Sequence, residues 1–186
     1  MRIISCHNLQ RLRQHLRLGG AIAYPTESCY GLGCLPTDYR AVRRIINIKK
    51  RPQHKGLIVI GQNLAQLQPL LQTLPQSTQN HLNSVWAAPK TFVLPAQNHL
   101  PHLLRGKGRN KLAVRVPDHA LARHLCAVLN TPLVSTSCNR AKQRPCKTAR
   151  EVQRQFGRQV LIVRGRIGNR KKPSDIIDWQ TETQLR

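Results

Sequence analysis

Three short polar segments contain the side chains of this sequence that could bind or activate a substrate. The first is Tyr24-Pro25-Thr26-Glu27, which follows a short apolar run beginning at Ala21. That run predicts a buried strand ending at Pro25, because proline cannot continue a central ladder. Ligands of open α/β sheets usually bind beyond such strand ends, where Pro25 would present the Thr26 hydroxyl in a rigid turn. The alternative is a hydroxyl bonded only to its own backbone.

The second segment is the basic run Lys49-Lys50-Arg51-Pro52-Gln53-His54-Lys55. Lys49 and Arg51 are two residues apart where a predicted helix gives way to extended chain, so their side chains can point the same way. Cations held in this way suit a triphosphate, because arginine offers a bidentate fork and lysine a point charge. A favourable interaction with the helix dipole would explain Lys49 and Lys50, but it would not explain Arg51 and Lys55.

The third segment, Ser135-Thr136-Ser137-Cys138-Asn139, also follows an apolar strand. If it stays extended, Ser135, Ser137 and Asn139 share one face, and Cys138 points away from it, which disfavours a nucleophilic cysteine. An ordinary turn rich in serine and asparagine is the alternative. The sequence has neither a Walker A motif nor a helix-opening G-x-G-x-x-G, so a bound nucleotide would need another arrangement.

The charge of the chain is strongly unbalanced. Its 186 residues include 31 lysines and arginines but only 7 acids, giving a formal net charge of +24. Such a chain is drawn to polyanions such as nucleic acids and nucleotide phosphates. So few acids argue against two-carboxylate glycosidase chemistry and against a cage of carboxylates around a metal. Glu27 is the only acid within the three polar segments and is a candidate base or Mg²⁺-positioning residue.

The basic residues are also unevenly spaced along the chain. Residues 56–89 contain no Lys, Arg, Asp or Glu, whereas basic residues cluster at 40–55, 105–115, 140–150 and 164–172. This spacing predicts that several basic loops converge on one anionic ligand. The alternative is a set of ordinary loops on a basic protein, since basic patches indicate anion sites only statistically.

Apolar periodicity and capping residues predict the elements that position these segments. The predicted helices run from a cap at Asn8 to about Leu18, from Thr37 or Asp38 to about Lys50, near 64–72, near 77–84, over 119–129, and from the Thr148–Glu151 capping box to Gln155. The predicted strands cover 21–24, 57–60, 92–94, 112–116, 133–136, 160–163 and 176–177, and residues 26–36 are predicted to be a loop. This order predicts one α/β domain over residues 1–186, with a twisted mixed sheet and flanking helices.

The cysteines and the apolar segments indicate the compartment. The six cysteines include no C-x-x-C pair, which predicts reduced thiols rather than a disulfide framework or a zinc site. No apolar segment approaches the length of a membrane helix, and the N-terminus lacks the apolar region of a signal peptide. Residues 1–20 are acid-free like a mitochondrial presequence, but the whole chain is acid-poor. We expect a cytoplasmic protein without membrane association.

Taken in order, these and further motifs resemble the YrdC/TsaC family, the threonylcarbamoyl-AMP synthases. The matching segments cover about residues 8–186 and read Ala23-Tyr24-Pro25-Thr26-Glu27, Tyr30-Gly31-Leu32-Gly33-Cys34, Lys49-x-Arg51-Pro52-x-x-Lys55-Gly56-Leu57, Pro89-x-Thr91-Phe92-Val93, Leu112-Ala113-Val114-Arg115-Val116-Pro117, Ser135-Thr136-Ser137-x-Asn139 and Pro173-Ser174-x-Ile176. Each segment is modest alone, but the ordered set is specific.

The resemblance implies a YrdC-like fold with a concave positive cavity and an ATP-dependent enzyme. Such an enzyme joins L-threonine, bicarbonate and ATP into L-threonylcarbamoyl-AMP and releases pyrophosphate, and Mg²⁺ is carried by the phosphates. A separate transferase complex of the TsaD/TsaB/TsaE type then modifies the adenosine next to the anticodon of tRNAs that read ANN codons. The implied class is a nucleotidyltransferase, and contact with tRNA or another RNA is compatible with it.

The resemblance also assigns roles to residues, and it assigns none as a metal ligand. The implied catalytic residues are Lys49 and Arg51. The implied ATP-binding residues are Arg51, Lys55, Thr91, Ser135, Asn139 and Arg186. The implied threonine-binding residues are Thr26, Arg115, Ser137 and Ser174.

The sequence departs from the family pattern at a few loop positions. Trp86-Ala87-Ala88-Pro89 replaces the usual Trp-Pro-Gly-Pro, Cys138 replaces the alanine of Ser-Ala-Asn, and Ala141-Lys142 replaces a common Ser-Gly. Ile60 stands where some relatives have a polar substrate contact. The alternative function is a non-catalytic binder of structured RNA, such as a ribosome-maturation factor. The net charge favours that alternative, whereas the ordered motifs favour the enzyme.

Overall fold

A computed structural model describes residues 6–52 and 54–186, and within them the chain forms eight strands and seven α-helices. The strands are β1 (Ala21–Pro25), β2 (Tyr30–Gly33), β3 (Ile58–Ile60), β4 (Lys90–Pro95), β5 (Lys111–Arg115), β6 (Leu133–Ser137), β7 (Val160–Ile162) and β8 (Asp175–Asp178). The helices are α1 (Cys6–Arg17), α2 (Tyr39–Lys49), α3 (Leu64–Leu67), α4 (Gln76–Val85), α5 (His102–Arg105), α6 (Ala120–Leu129) and α7 (Ala149–Phe156). The single domain predicted for 1–186 also includes residues 1–5 and 53, which lie outside the described residues.

All eight strands described belong to one mixed sheet, in the order β7-β1-β2-β6-β3-β5-β4-β8. The pairs β1–β7, β3–β5 and β4–β8 are parallel, and the remaining neighbours are antiparallel. The predicted α/β domain with a mixed sheet is therefore confirmed. Strands β1 and β2 are joined by only four residues, which are too few for the crossover that parallel neighbours need.

Two aliphatic clusters cover the sheet. In β1, Ala21 and Ala23 belong to one cluster, whereas Ile22 and Tyr24 belong to the other. Because successive side chains of a strand point to opposite faces, the two clusters lie on opposite faces of the sheet. Helices α1 and α6 pack on the Ile22 face, and α2, α4 and α7 pack on the Ala21 face.

Several predicted helix ends are confirmed by their caps. The side chain of Asp38 accepts a hydrogen bond from the Ala41 backbone at 3.0 Å and begins α2. Lys50 adopts a left-handed conformation with φ 51° and ends the same helix. Thr148 and Glu151 form the predicted capping box of α7.

Strand β2 corrects the prediction of a loop over residues 26–36. It pairs antiparallel with both β1 and β6. Its glycines do not serve a turn: a Cβ at Gly33 would lie 2.5 Å from the Val134 carbonyl oxygen and 2.7 Å from the Tyr24 ring. Glycine at this position therefore allows the strands to pack closely within the sheet. In the sequence alone, such a glycine looks the same as one that marks a turn.

Three helix predictions also need correction. Helix α1 begins at Cys6, so Asn8 lies inside it and does not cap it. The helix predicted near 64–72 is shorter, because α3 gives way to a tighter turn containing Pro69 and Leu71 is extended. The short helix α5 was not predicted, because four residues are too few to show a helical period.

Candidate active site

Eight of the eleven predicted site residues line one cavity of about 1630 Å³. These eight residues come from segments that are far apart in the sequence: Thr26, Arg51, Lys55, Arg115, Ser135, Ser137, Ser174 and Arg186. Lys49, Thr91 and Asn139 do not line the cavity but contact residues that do. The fold thus brings residues of all three polar segments to one cavity.

The cavity wall carries a large excess of positive charge. Thirteen lysines and arginines line it, against three acids. They come from all four basic clusters of the sequence, at 40–55, 105–115, 140–150 and 164–172, with Arg154 and Arg186 in addition. The four basic clusters therefore meet at one cavity, and the anionic ligand that they were expected to bind there stays a prediction. Such a wall suits an anionic ligand with several charges.

All three acids of the wall already have partners within the protein. Glu27 pairs with Arg115 at 3.1 Å, and Asp178 pairs with Lys111 at 2.9 Å. Glu151 accepts hydrogen bonds at the start of α7 as part of its capping box. Among the thirteen cations of the wall, Lys111, Arg115 and Arg170 are the ones with an ion pair in the described residues, so most of the cations have no acidic partner. The same contacts engage the carboxylates that a bound metal would need.

Arg51 shapes the loop that follows α2. Its Nε donates to the Lys55 carbonyl at 3.1 Å, and its Nη2 donates to the Gly56 carbonyl at 2.7 Å. Burial and the nearby Arg186 lower the pKa of Arg51 from its ordinary value. Two guanidinium groups held close together in one wall repel each other, and a bound anion would relieve that repulsion.

Lys49 contacts a different segment from Arg51. Its Nζ donates to the Ser137 carbonyl, to the Asn139 carbonyl at 2.8 Å and to Asn139 Oδ1 at 3.2 Å. The Ser137 hydroxyl donates to the same Asn139 Oδ1 at 2.7 Å. Lys49 therefore holds the Ser-x-Asn turn from behind the cavity wall. Burial, followed by repulsion from Arg51, lowers the pKa of Lys49 to about 8.

Glu27 holds the guanidinium of Arg115 at the cavity wall. The side chains of both residues are more than nine-tenths buried. Glu27 Oε1 also accepts a hydrogen bond from the Asp118 backbone at 3.0 Å. In the described part of the chain, Nε of Arg115 is buried without a hydrogen-bond partner. A buried N–H without a partner is costly, so this nitrogen is suited to donate to a ligand in the cavity.

A second fixed cation lies beside β4 and β8. The hydroxyls of Thr91 and Ser174 are 3.0 Å apart, and Thr91 is fully buried. Arg186 donates from Nε and Nη2 to the Ser174 carbonyl at 3.2 and 3.0 Å. Thr91 therefore acts on a ligand only indirectly, by its hydrogen bond with Ser174. Ser174 in turn orients the Arg186 side chain at the cavity.

The cysteines near the site have the properties of buried thiols. All six cysteines of the chain are free. Cys138 is fully buried, and burial raises the pKa of its thiol. A thiol that resists ionisation is a poor nucleophile at neutral pH, which agrees with the prediction that Cys138 points away from the polar face.

Neither a metal centre nor a membrane span appears in the described residues. Across 6–52 and 54–186, no three or more histidine, cysteine or acidic side chains are grouped so that they could hold a metal ion. The helices of the same residues include none with the length and apolar character needed to cross a bilayer.

Comparison with known proteins gives matches over nearly the whole chain. The family model Sua5_yciO_yrdC, described as telomere recombination, matches residues 14–186. A threonylcarbamoyl-AMP synthase of Neisseria gonorrhoeae is 59% identical over 185 residues, which are 100% of this chain and 98% of that protein.

Two solved structures share the fold. P. abyssi Sua5 complexed with L-threonine aligns with a TM-score of 0.87 and 30% identity, over 97% of this chain and 53% of that chain. This chain therefore spans about half the length of that Sua5. E. coli YciO aligns with a TM-score of 0.81 and 25% identity, over 97% of this chain and 88% of that chain.

Proposed function

This chain belongs to the Sua5/YciO/YrdC family, and we propose that it makes L-threonylcarbamoyl-AMP from L-threonine, bicarbonate and ATP. The observation that carries the proposal is the single cavity in which thirteen cations and several hydroxyls converge from distant segments. A full-length relative named for this activity supports it, as does the Sua5 structure that binds L-threonine.

The reaction forms one C–N bond and one P–O bond. The amine of threonine adds to the carbon of bicarbonate, and loss of water leaves a carbamate. A carbamate oxygen then attacks the α-phosphorus of ATP, and the bond from that phosphorus to the bridging oxygen breaks and releases pyrophosphate. Because an adenylyl group moves from ATP to the carbamate, the proposed enzyme class is that of the nucleotidyltransferases.

Positioning and electrostatics account for how this cavity would accelerate the transfer. Negative charge builds on the leaving pyrophosphate, so cations fixed in advance stabilise the transition state more than the ground state. In our proposal Arg51, Lys55 and Arg186 hold the phosphates. Lys49 fixes the turn of Ser137 and Asn139 beside them, so that no large rearrangement is needed when ATP binds.

Threonine is assigned to the part of the cavity near Thr26 and Arg115. The unpartnered Nε of Arg115 suits the carboxylate of the amino acid. The Thr26 hydroxyl now donates to the Cys29 carbonyl at 2.8 Å, and its oxygen can still accept a hydrogen bond from substrate. Ser135, Ser137 and Ser174 add further hydroxyls to the wall.

The protein itself does not offer ligands for Mg²⁺ in this cavity. Each carboxylate of the wall is engaged by a cation or by a helix start. A magnesium ion would therefore enter with the phosphates of ATP. The same contacts remove Glu27 as a free base, because its carboxylate is committed to Arg115.

The product would be used by a separate transferase complex of the TsaD/TsaB/TsaE type acting on tRNA in the cytoplasm. The net charge of +24 also favours a second candidate, a non-catalytic binder of structured RNA. The two candidates predict different behaviour of the purified protein, because only the enzyme consumes ATP.

A pyrophosphate-release assay tests the proposal directly. We expect release only when L-threonine, bicarbonate and ATP are all present, and mass spectrometry should detect threonylcarbamoyl-AMP in the same mixture. Omission of each substrate in turn is the control. Salt-dependent binding of an RNA duplex without any pyrophosphate would refute the enzyme and favour the RNA binder.

A further inference from the structure

A second groove, of about 1560 Å³, lies at the β7 edge of the sheet. It is lined by residues of α1, of β7 and of the segment that includes α7, and we name it the edge groove. It shares Glu151 and Arg154 with the wall of the candidate active site, so the two cavities meet at α7. The proposed reaction gives the edge groove no role.

The edge groove is a slot between two helices on opposite faces of the sheet. Helix α1 packs through Leu12 and Leu16 on one face, and α7 packs through Val152 and Phe156 on the other. The free edge of β7 forms the floor between them. An extended segment of polypeptide fits such a slot better than a helix does, because it can lie in the plane of the sheet.

Strand β7 has an unused row of hydrogen-bonding groups. In the described part of the chain its only ladder is with β1. The Val163 N–H donates to the Ala23 carbonyl at 2.8 Å. Since neighbouring residues of a strand direct their peptide groups to opposite sides, the N–H and C=O of Ile162 face away from β1. An open strand edge is a template for the addition of another strand.

The walls of the edge groove are rich in arginine. Five arginines line it against one acid: Arg11, Arg150, Arg154, Arg158 and Arg164. All five are exposed, and within residues 6–52 and 54–186 none forms an ion pair or a side-chain hydrogen bond. The one acid, Glu151, is committed to the start of α7. The edge groove therefore has unpaired positive charge on both walls.

The edge groove also has apolar surface that a polyphosphate would not use. Leu18 lines the edge groove and is 79% exposed. Leu161 and Ile162 form part of the floor of the groove and are half-buried. A bound strand with alternating residues could place apolar side chains on this surface and acidic side chains on the arginines. This combination of an open edge, apolar floor and basic walls favours a peptide strand over nucleic acid.

The occupant must come from another molecule. The seven acids of this chain are Glu27, Asp38, Asp118, Glu151, Asp175, Asp178 and Glu182. No two of them are two residues apart, which is the spacing that places successive side chains on one face of a strand, and Asp175 and Asp178 are already part of β8. A second copy carries the same net charge of +24 and would place arginine against arginine.

We propose that the edge groove binds an extended acidic segment of a partner protein, which adds as a strand beside β7. Backbone hydrogen bonds to Ile162 align the segment, and the arginines select acidic side chains. The segment needs only about five residues to span the edge at roughly 3.3 Å per residue. A partner bound there lies beside the candidate active site across α7.

A labelled peptide tests the proposal on the intact protein. The probe is a short fluorescein-labelled peptide that alternates glutamate and valine, and fluorescence anisotropy measures its binding. The first variant pair is Arg11→Glu with Arg158→Glu, which reverses one charge on each wall and leaves the active-site cavity unchanged. The matched control is Arg40→Glu with Arg43→Glu, two exposed arginines of α2 that do not line the groove.

We expect the groove variant to bind the peptide at least ~10-fold more weakly than the control variant, because rim charges determine partner choice. A peptide methylated at alternate backbone nitrogens, tested on the unaltered protein, should also lose binding, since it cannot pair with the β7 edge. Unchanged thermal unfolding midpoints show that the variants fold.

Four results would overturn the proposal. Equal weakening in both variants, or equal binding of the methylated peptide, would mean general charge attraction. No measurable peptide binding by the unaltered protein, together with an RNA duplex that loses affinity only in the groove variant, would mean that the groove takes nucleic acid. Sedimentation of a dimer that the groove variant dissociates would mean that the occupant is a second copy.

Discussion

Glu27 Oε1 lies 3.1 Å from Nη1 of Arg115, and both side chains are buried at the wall of the candidate active site. Glu27 lies two residues beyond the end of β1 and Arg115 is the last residue of β5, and these two strands are not neighbours in the sheet. A buried pair of this kind rarely adds stability beyond what an apolar pair would give, but breaking it leaves a charge without its partner. We interpret Glu27 as the residue that positions Arg115 for the carboxylate of threonine.

The first prediction concerns the Glu27→Gln variant. Without the carboxylate, the Arg115 guanidinium is no longer held, so we expect the KM for threonine to rise by at least ~10-fold with a smaller change in kcat. Steady-state pyrophosphate release at varied threonine measures both constants. Asp118→Asn is the control, because that acid pairs with Arg123 at 3.6 Å and is largely exposed.

A role for Glu27 as general base would give a different pattern. In that case kcat would fall steeply and the KM for threonine would stay nearly constant. Glu27→Asp separates the two further, since a shorter acid can still ionise but cannot reach Arg115 from the same position. An unchanged KM in Glu27→Gln would contradict the positioning role.

The second prediction concerns Arg51. Arg51→Ala removes a cation from the predicted phosphate site and the two hydrogen bonds that Arg51 donates to the Lys55 and Gly56 carbonyls. We expect turnover to fall by at least ~100-fold, which is the scale of losing one electrostatic donor at a reacting group. Single-turnover measurements with saturating ATP separate this loss of rate from weaker binding.

Lys50→Asn is the matched control for Arg51→Ala. Lys50 is exposed beside the site and has φ 51°, a conformation that asparagine adopts readily. This variant therefore removes one charge without straining the end of α2. Near-normal turnover in Arg51→Ala, or an equal loss in the control, would show that Arg51 has no specific role.

Local patterns of the sequence predicted most strands and the convergence of the basic loops. Apolar runs identify the strands because burial dominates their composition. The missed strand β2 shows the limit of this reasoning, since the close approach that Gly33 permits to Val134 depends on a strand distant in sequence. Only the folded sheet distinguishes that glycine from one in a turn.

The same limit applies inside the site. The spacing of Lys49 and Arg51 predicted side chains with a common direction, but Lys50 is left-handed and the two contact different segments. The pairing of Glu27 with Arg115 depends on the strand order, which no local period encodes. Residue types and spacing therefore predicted which residues gather, whereas tertiary packing decides which of them face the ligand.

The third prediction concerns Arg186. Its guanidinium is fixed by the Ser174 carbonyl, and burial, together with the positive charge of Arg115, lowers its pKa. We expect Arg186→Ala to weaken ATP binding by about 10-fold, as befits the loss of one charge-assisted contact. Isothermal titration with ATP measures the change. Arg17→Ala, which removes an exposed arginine of α1, is the control, and equal affinities in the two variants would exclude Arg186 from the phosphate site.

The final prediction concerns the pH dependence of stability that arises from Lys49. Burial lowers the pKa of Lys49 in the folded protein to about 8 from an ordinary value of 10.5. Between these two pH values the unfolded chain holds the proton and the folded chain does not, so this residue makes the free energy of unfolding rise with pH. The rise should be on the order of 3 kcal/mol by the upper end of that window.

Urea unfolding at several pH values measures this rise as the difference in the free energy of unfolding between the unaltered protein and Lys49→Met. The thiols and tyrosines common to both proteins largely cancel in that difference. The same comparison with Lys50→Asn shows how much of the pH-dependent difference in the free energy of unfolding comes from removing any lysine at this helix end. A difference that stays flat or falls as the pH increases would mean that Lys49 remains charged in the folded protein, held by its contacts with Ser137 and Asn139.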